Sequence, residues 1–399
     1  MKKTLSALLA AAMLATALTG CGGSTDSTAK QDGTDAKAGD STTSASGTAF
    51  KLGGTGPLTG AAAIYGNAAK NGAQIAVDEI NAAGGNIQFE LKYEDDEHDA
   101  EKAVNAYNAL KDWGMQISLG SVTSKPCEAT AAETYSDRIF ALTPSASAVA
   151  VTADKDNMFQ MCFADPNQGT ASADYIATNK LGTKVAVIYK NDDVYSSGIF
   201  DKFKAQADAK GLSIVSTTTF TDASANDFTV QLGEAQKAGA DLLFLPIYYQ
   251  PASLILQQAK SMNYAPKVFG VDGMDGILTL EGFDKALAEG VMLLTPFNAD
   301  ATDEKTVNFV KTYKEKFGDV PNQFAADAYD CVYAYKQALE AAGCTADMNA
   351  QDICEKLVAT FPTMKFDGLT GSGVTWDTTG AVSKTPKGMV IQNGAYVGM

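Results

Sequence analysis

A single carboxylate stands at the end of an apolar run: Asp272, in the stretch KVFGVDGMD at 267–275, with Gly270 and Gly273 close on either side. A carboxylate at the edge of a cleft is the partner an ammonium group needs. An Asp before Gly is equally a common turn cap. Complementary chemistry ends another apolar run, where Ser121-Val122-Thr123-Ser124 follows MQISLG and leads into a helical run near Lys125. Hydroxyls and free backbone amides at a helix N-terminus suit a carboxylate. Ser124 also reads as the cap of that helix, with Pro126 just inside it, and one residue can do both. Two tyrosines join the set. Tyr195 enters a helix from the polar loop after VAVIYK, and Tyr248 ends LLFLPIY. Each offers an apolar face and a hydroxyl able to reach across a cleft, whereas Tyr249 reads as a core aromatic.

These residues can meet only if the chain gathers its strand ends. Apolar runs (FKLG, QFELKY, MQISLG, RIFALTP, KVAVIYK, LSIVSTTTF, DLLFLPIY, KVFGVD, VMLLTP) alternate with helical runs at 100–112, 125–136, 168–181, 196–210, 229–238 and 251–262. Near-continuous apolar strands alternating with helices mean parallel sheets covered on both faces, an α/β fold. The first unit spans residues 50–85. A strand and a Gly/Pro/Thr turn lead to a helix burying Ala69, Ala73, Ala76, Val77 and Ile80, stopped by Gly84-Gly85. Its glycines are not a dinucleotide fingerprint: Thr59 stands where the third Gly belongs, and Pro57 removes an N–H from the loop.

Residues 1–20 read as a signal peptide, with Lys2-Lys3 followed by an apolar run at 5–18 too short to span a membrane. The ending Leu18-Thr19-Gly20-Cys21 resembles a bacterial lipobox, which makes Cys21 the lipidated residue and 21–49 a flexible tether without large apolar side chains. The expected location is extracytoplasmic, anchored to the outer face of the cell membrane. The remaining body of roughly 350 residues suits two lobes. A formal charge of -16, from 31 Lys+Arg against 47 Asp+Glu, argues against a nucleic-acid partner. The only histidine, His98, lies in the acidic run YEDDEHDAE, read as a solvated face. No Ser/His or Cys/His pairing and no calcium loop can be built on it, so neither an enzyme nor a metal site is expected. Beyond Cys21 there are Cys127, Cys162, Cys331, Cys344 and Cys354. Cys344 and Cys354 flank a short loop and read either as a disulfide or as buried thiols.

The motifs GPLTG at 56–60, Tyr65-Gly66 and NGA-Q-AV-EIN-AGG at 71–85 resemble the opening of the leucine/isoleucine/valine-binding protein family, and the resemblance runs to the C-terminus. It implies two doubly wound parallel-sheet lobes joined by a three-crossing hinge near Ala164, Thr295 and Gly388. Lobe 1 would be 50–164 plus 296–387, and lobe 2 would be 165–295 plus 388–399. It also implies that Pro144-Ser145-Ala146-Ser147 presents a backbone carbonyl and a hydroxyl to a ligand's α-amino and α-carboxylate groups. The family has an acid, usually Glu, at the position of Asp272. The expected binding set is Tyr65, Val122, Thr123, Ser124, Ser145, Ala146, Ser147, Tyr195, Tyr248 and Asp272, with Phe324 at the side-chain end. An L-amino acid with an aliphatic side chain fits it, delivered to an ABC permease by a monomeric carrier without a cofactor. The alternatives are a urea, amide or aromatic-acid ligand on the same fold, or a ligand-sensing receptor component. His98 and Thr123 occupy the positions of a disulfide found in enteric members, so that staple is absent here.

Overall fold

Phe50–Gly56 forms a buried strand, β1, and a turn delivers the chain into helix α1 (Ala63–Ala83), ended by Gly84 at φ 71°. The structure is a computed structural model describing residues 49–399; the expected signal peptide, Cys21 and nearly all of the tether lie outside the described residues. The chain continues through β2 (Phe89–Asp95), α2 (Ala100–Trp113), β3 (Ile117–Ser121), α3 (Ser124–Asp137), β4 (Phe140–Thr143), α4 (Val149–Thr152) and β5 (Met158–Gln160). These strands make a parallel sheet in the order β2-β1-β3-β4-β5.

A second sheet follows: α5 (Asp165–Thr178), β6 (Lys184–Lys190), α6 (Val194–Lys210), β7 (Ser213–Phe220), α7 (Thr229–Lys237), β8 (Leu242–Leu245), α8 (Tyr249–Ser261), β9 (Lys267–Gly270) and β10 (Met292–Thr295). The chain then adds α9 (Glu304–Phe317), α10 (Gln323–Ala341) and α11 (Ala350–Thr360). Of these, α10 packs along α1 and α11 packs on β3 and β4 of the first sheet. It returns as the antiparallel pair β11 (Lys387–Gln392) and β12 (Ala395–Gly398), which extends the second sheet to the order β12-β11-β10-β9-β8-β6-β7. None of the described helices is long and apolar enough to cross a membrane.

Burial follows sequence. The central strands β3, β4, β8 and β10 are buried at every residue, whereas the edge strand β7, SIVSTTTF, alternates and carries Thr outward. Strand order reverses beside β1 in the first sheet and beside β6 in the second, so the loops after β1, β3, β6 and β8 open at crevices suited to ligands.

The structure departs from the sequence reading at several points. The chain between β4 and α5 holds the short helix α4 and the short strand β5, neither among the runs read from the sequence, and the C-terminal hairpin breaks the all-parallel pattern. Asn393-Gly394 turns that hairpin with φ 53° and 74°, conformations these two residue types tolerate. Thr123, not Ser124, holds the N-cap position of α3, and it makes no side-chain cap bond. Cys344 and Cys354 are free thiols, as are Cys127, Cys162 and Cys331, and all five are buried.

The irregular chain between α11 and β11 covers the edge of β5. Trp376 Nε1 donates to the Gln160 carbonyl at 2.7 Å, and Lys384 pairs with Asp327 of α10 at 2.7 Å, both side chains almost fully buried.

Close approach of α1 and α10 depends on Gly72, where an added Cβ would overlap the Ala325 carbonyl of α10. Gly72→Ala should destabilise the fold by about 1–3 kcal/mol through overpacking, measured as a lower urea midpoint at unchanged slope.

Candidate functional site

Asp272 follows β9 directly, opening a 3-10 turn (Asp272–Met274), and is only 3% exposed. Neutral groups hold its backbone: its N–H donates to Gln168 Oε1 at 3.1 Å, and its carbonyl accepts Gln323 Nε2 at 2.8 Å. The carboxylate accepts the Tyr195 hydroxyl at 2.6 Å, and that hydroxyl accepts the Gly273 N–H at 2.9 Å. Tyr195 is placed by Asp193, which caps α6 by accepting the Tyr195 N–H at 3.0 Å. Its ring stacks on Tyr248, centroids 4.8 Å apart and planes 21° from parallel.

Tyr65 of α1 reaches these second-sheet loops from the first. Its hydroxyl donates to the Gly273 carbonyl and accepts the Tyr249 N–H at 3.1 Å. The ring stands edge-on to Tyr248 at 5.4 Å and meets Phe324 at 4.3 Å. Opposite Asp272, the Ser124 hydroxyl oxygen accepts the backbone N–H of Ser147 and of Ala148, each at 3.2 Å. Its own O–H stays available as a donor beside the first amides of α3. The hydroxyl read as a helix cap is thus spent on the neighbouring loop. Ser145 donates to the Val122 carbonyl at 2.6 Å, which ties the two first-sheet loops together.

Tyr65, Val122, Thr123, Ser124, Ser145, Tyr195, Tyr248 and Asp272, with Gly273 and Phe324, line one narrow pocket, closed down to about 10 Å³. Ala146 and Ser147 stand behind it. The Ala146 carbonyl accepts Gln160 Nε2 at 2.8 Å, and the Ser147 hydroxyl lies 3.5 Å from Gln168 Nε2. Gln168 and Gln323, which fix the Asp272 backbone, were not singled out in the sequence. A neutral amide inside a helix carries no pattern that marks it.

The acidic run at the end of β2 is a solvated face only in part: Glu97, Asp99 and Glu101 are exposed, whereas Asp96 and His98 turn inward. Asp96 is fully buried, and His98 is half-buried with Nδ1 2.8 Å from Thr123 Oγ1. The acids serve as local acceptors. Asp95 takes the N–H of Leu58 and of Glu97 at 2.8 and 2.9 Å, and Asp96 takes the N–H of His98 at 3.0 Å. Burial pushes the Asp96 carboxyl up to about 7.

The family model described as periplasmic binding protein matches residues 49–394. The chain belongs to that family. The resemblance to leucine/isoleucine/valine-binding proteins holds as well, since its curated relatives carry that name. The chain is 29% identical to "Leu/Ile/Val-binding protein homolog 3" of Brucella melitensis, over 74% of this chain and 79% of that one. It is 28% identical to the "Leucine-, isoleucine-, valine-, threonine-, and alanine-binding protein" of Pseudomonas aeruginosa, over 79% and 83%. Among solved structures it resembles the branched-chain amino acid transporter substrate binding protein LivJ from Streptococcus pneumoniae in complex with isoleucine. There the TM-score is 0.78 at 27% identity, covering 88% of this chain and 98% of the other.

Within this family member the electrostatics of the site are one-sided. Burial pushes the Asp272 carboxyl up to about 7, and it raises Asp165 and Asp193 on the same side. A group that holds its proton more tightly in the folded than in the unfolded chain costs stability as pH rises from its unfolded value, about 4, through its folded one. Asp272→Asn should therefore raise stability by on the order of 1–3 kcal/mol at pH 8, with the gain vanishing toward pH 4. Thermal melts of the ligand-free protein and variant across that range measure it.

Proposed function

We propose that this chain is the extracytoplasmic solute-binding component of an ABC importer and captures an L-α-amino acid, with aliphatic branched side chains the best match. One observation carries the reading: the buried Asp272 carboxylate and the Ser124 hydroxyl at the head of α3 line the same narrow pocket. The first complements an ammonium and the second a carboxylate, so an α-amino acid zwitterion satisfies both ends. Tyr65, Val122, Tyr248 and Phe324 offer apolar surface for the side chain. The names of the curated relatives and the isoleucine-bound neighbour support the same class.

In this reading the two sheets belong to two lobes, 50–164 with 296–387 and 165–295 with 388–399. Ligand docks first on the hydroxyl and amide side, and hinge closure then brings Tyr195, Tyr248 and Asp272 over it. The closed form presents both lobes to the permease, and a lipid on Cys21 holds the carrier at the membrane.

Titration calorimetry on the body from residue 50 onward, unfolded and refolded to strip carried ligand, tests the proposal. The panel holds the common L-amino acids, their amides, urea and aromatic acids. One-to-one heat from aliphatic amino acids, abolished by blocking the α-amino or α-carboxylate group, is the expected result. Heat from urea or an aromatic acid alone would overturn the ligand class. Asp272→Ala should cost about 2–5 kcal/mol of affinity by stranding a desolvated ammonium.

A further inference from the structure

The loop between β2 and α2 holds His98 in a conformation its residues do not favour. Glu97 and His98 are consecutive left-handed residues, φ 49° and 60°, a backbone state that non-glycine residues keep only when their surroundings impose it. Asp95 and Asp96 impose it by accepting the N–H of Glu97 and of His98. The imidazole is thereby turned away from its own loop. Nδ1 lies 2.8 Å from Thr123 Oγ1, in the wall of the candidate site, and the ring meets Tyr248 edge-on at 5.4 Å and 81°. Thr123 belongs to the first-sheet side and Tyr248 to the second, so one ring touches both sides of the space they enclose.

We propose that His98 is a positioning residue for ligand capture: the neutral ring holds the Thr123 hydroxyl and the Tyr248 ring in the closed arrangement, and charging the ring loosens it. This rests on the amino-acid-binding reading above. The neutral Nδ1 can accept the Thr123 proton, whereas the imidazolium can only donate, so protonation imposes the opposite polarity on that bond.

The charged groups around the ring come from every neighbouring element. They are Lys125 of α3, Lys190 at the end of β6, Asp193 before α6, Asp222 after β7, and Asp96 of its own loop. Lys190 is paired with Asp222 at 2.7 Å, and the buried Asp193 already caps α6. Burial is the largest influence and holds the imidazole below its usual range. Asp193 and Asp222 oppose that shift, while Lys190 and Lys125 reinforce it. An imidazole held below its usual value in this arrangement and released to that value on opening favours closure fully above about pH 6.5, and the contribution is lost as pH falls. Reciprocity then requires that ligand lower the pKa of His98.

His98 is the only histidine in the chain, so its ring protons give an unambiguous NMR titration. The experiment compares that titration with and without saturating L-isoleucine, alongside calorimetry of the unmodified protein and His98→Asn at pH 5.5 and 8. Asn tolerates the left-handed backbone and cannot take up the proton. The expected result is a lower His98 pKa in the complex. The variant should bind about 3- to 10-fold more weakly at pH 8, the worth of one hydrogen bond, with the gap narrowing at pH 5.5. Heat from L-isoleucine with an unchanged or raised His98 pKa, or with a variant deficit independent of pH, would overturn the role of His98. Absence of heat from L-isoleucine and the other amino acids with the unmodified protein would instead overturn the binding reading beneath it.

Discussion

Among the described residues the buried Asp272 carboxylate has no cationic partner, and the arrangement around it follows from that. Tyr195, Gln168 and Gln323 fix the turn with a hydroxyl and two amides. These groups position a charge without neutralising it. A buried lysine does exist nearby in the fold, but Lys384 is committed to Asp327. Leaving Asp272 ionised and unpaired costs free energy, and in the proposed function a ligand ammonium offsets it. The raised proton affinity of Asp272 and its fitness for a cationic partner are two expressions of one desolvation.

The rest of the fold supplies the opposite pole and the walls. The loops after β1, β3, β6 and β8 meet because both sheets reverse strand order beside a central strand, and the helix that follows β3 brings its amide end to the same place. Tyr65 joins the two sides through its bond to the Gly273 carbonyl, and Tyr248 lies between Tyr65 and Tyr195. With Tyr65 and Tyr195 buried beside it, Asp272 is itself almost fully buried, which makes its charge costly when unpaired and effective when paired.

Much of this was legible in the sequence because it depends on features that sequence carries well. Apolar runs located nine of the strands, and the residues just past their ends included Val122, Ser124, Tyr195, Tyr248 and Asp272, which the structure places around one cavity. The failures are equally specific. Strand β5 has three residues and no measurable period, and the β11–β12 hairpin lies beyond the repeating strand–helix rhythm although Asn393-Gly394 marks its turn. Ser124 was read through its helix, but its hydroxyl is used by a loop 23 residues away. The acidic run looked solvated because charge predicts exposure. Asp96 escapes that rule by satisfying a backbone amide, a contact composition does not encode. Gln168 and Gln323 act only through tertiary geometry.

The five unbridged cysteines have a consequence of their own. All are buried, and burial pushes the Cys127 and Cys354 thiols up to about 12, where the reactive thiolate is scarce. No disulfide joins distant parts of the described chain, so its folded form requires no thiol oxidation. The described fold needs no disulfide to hold it, so reducing surroundings leave its connectivity untouched.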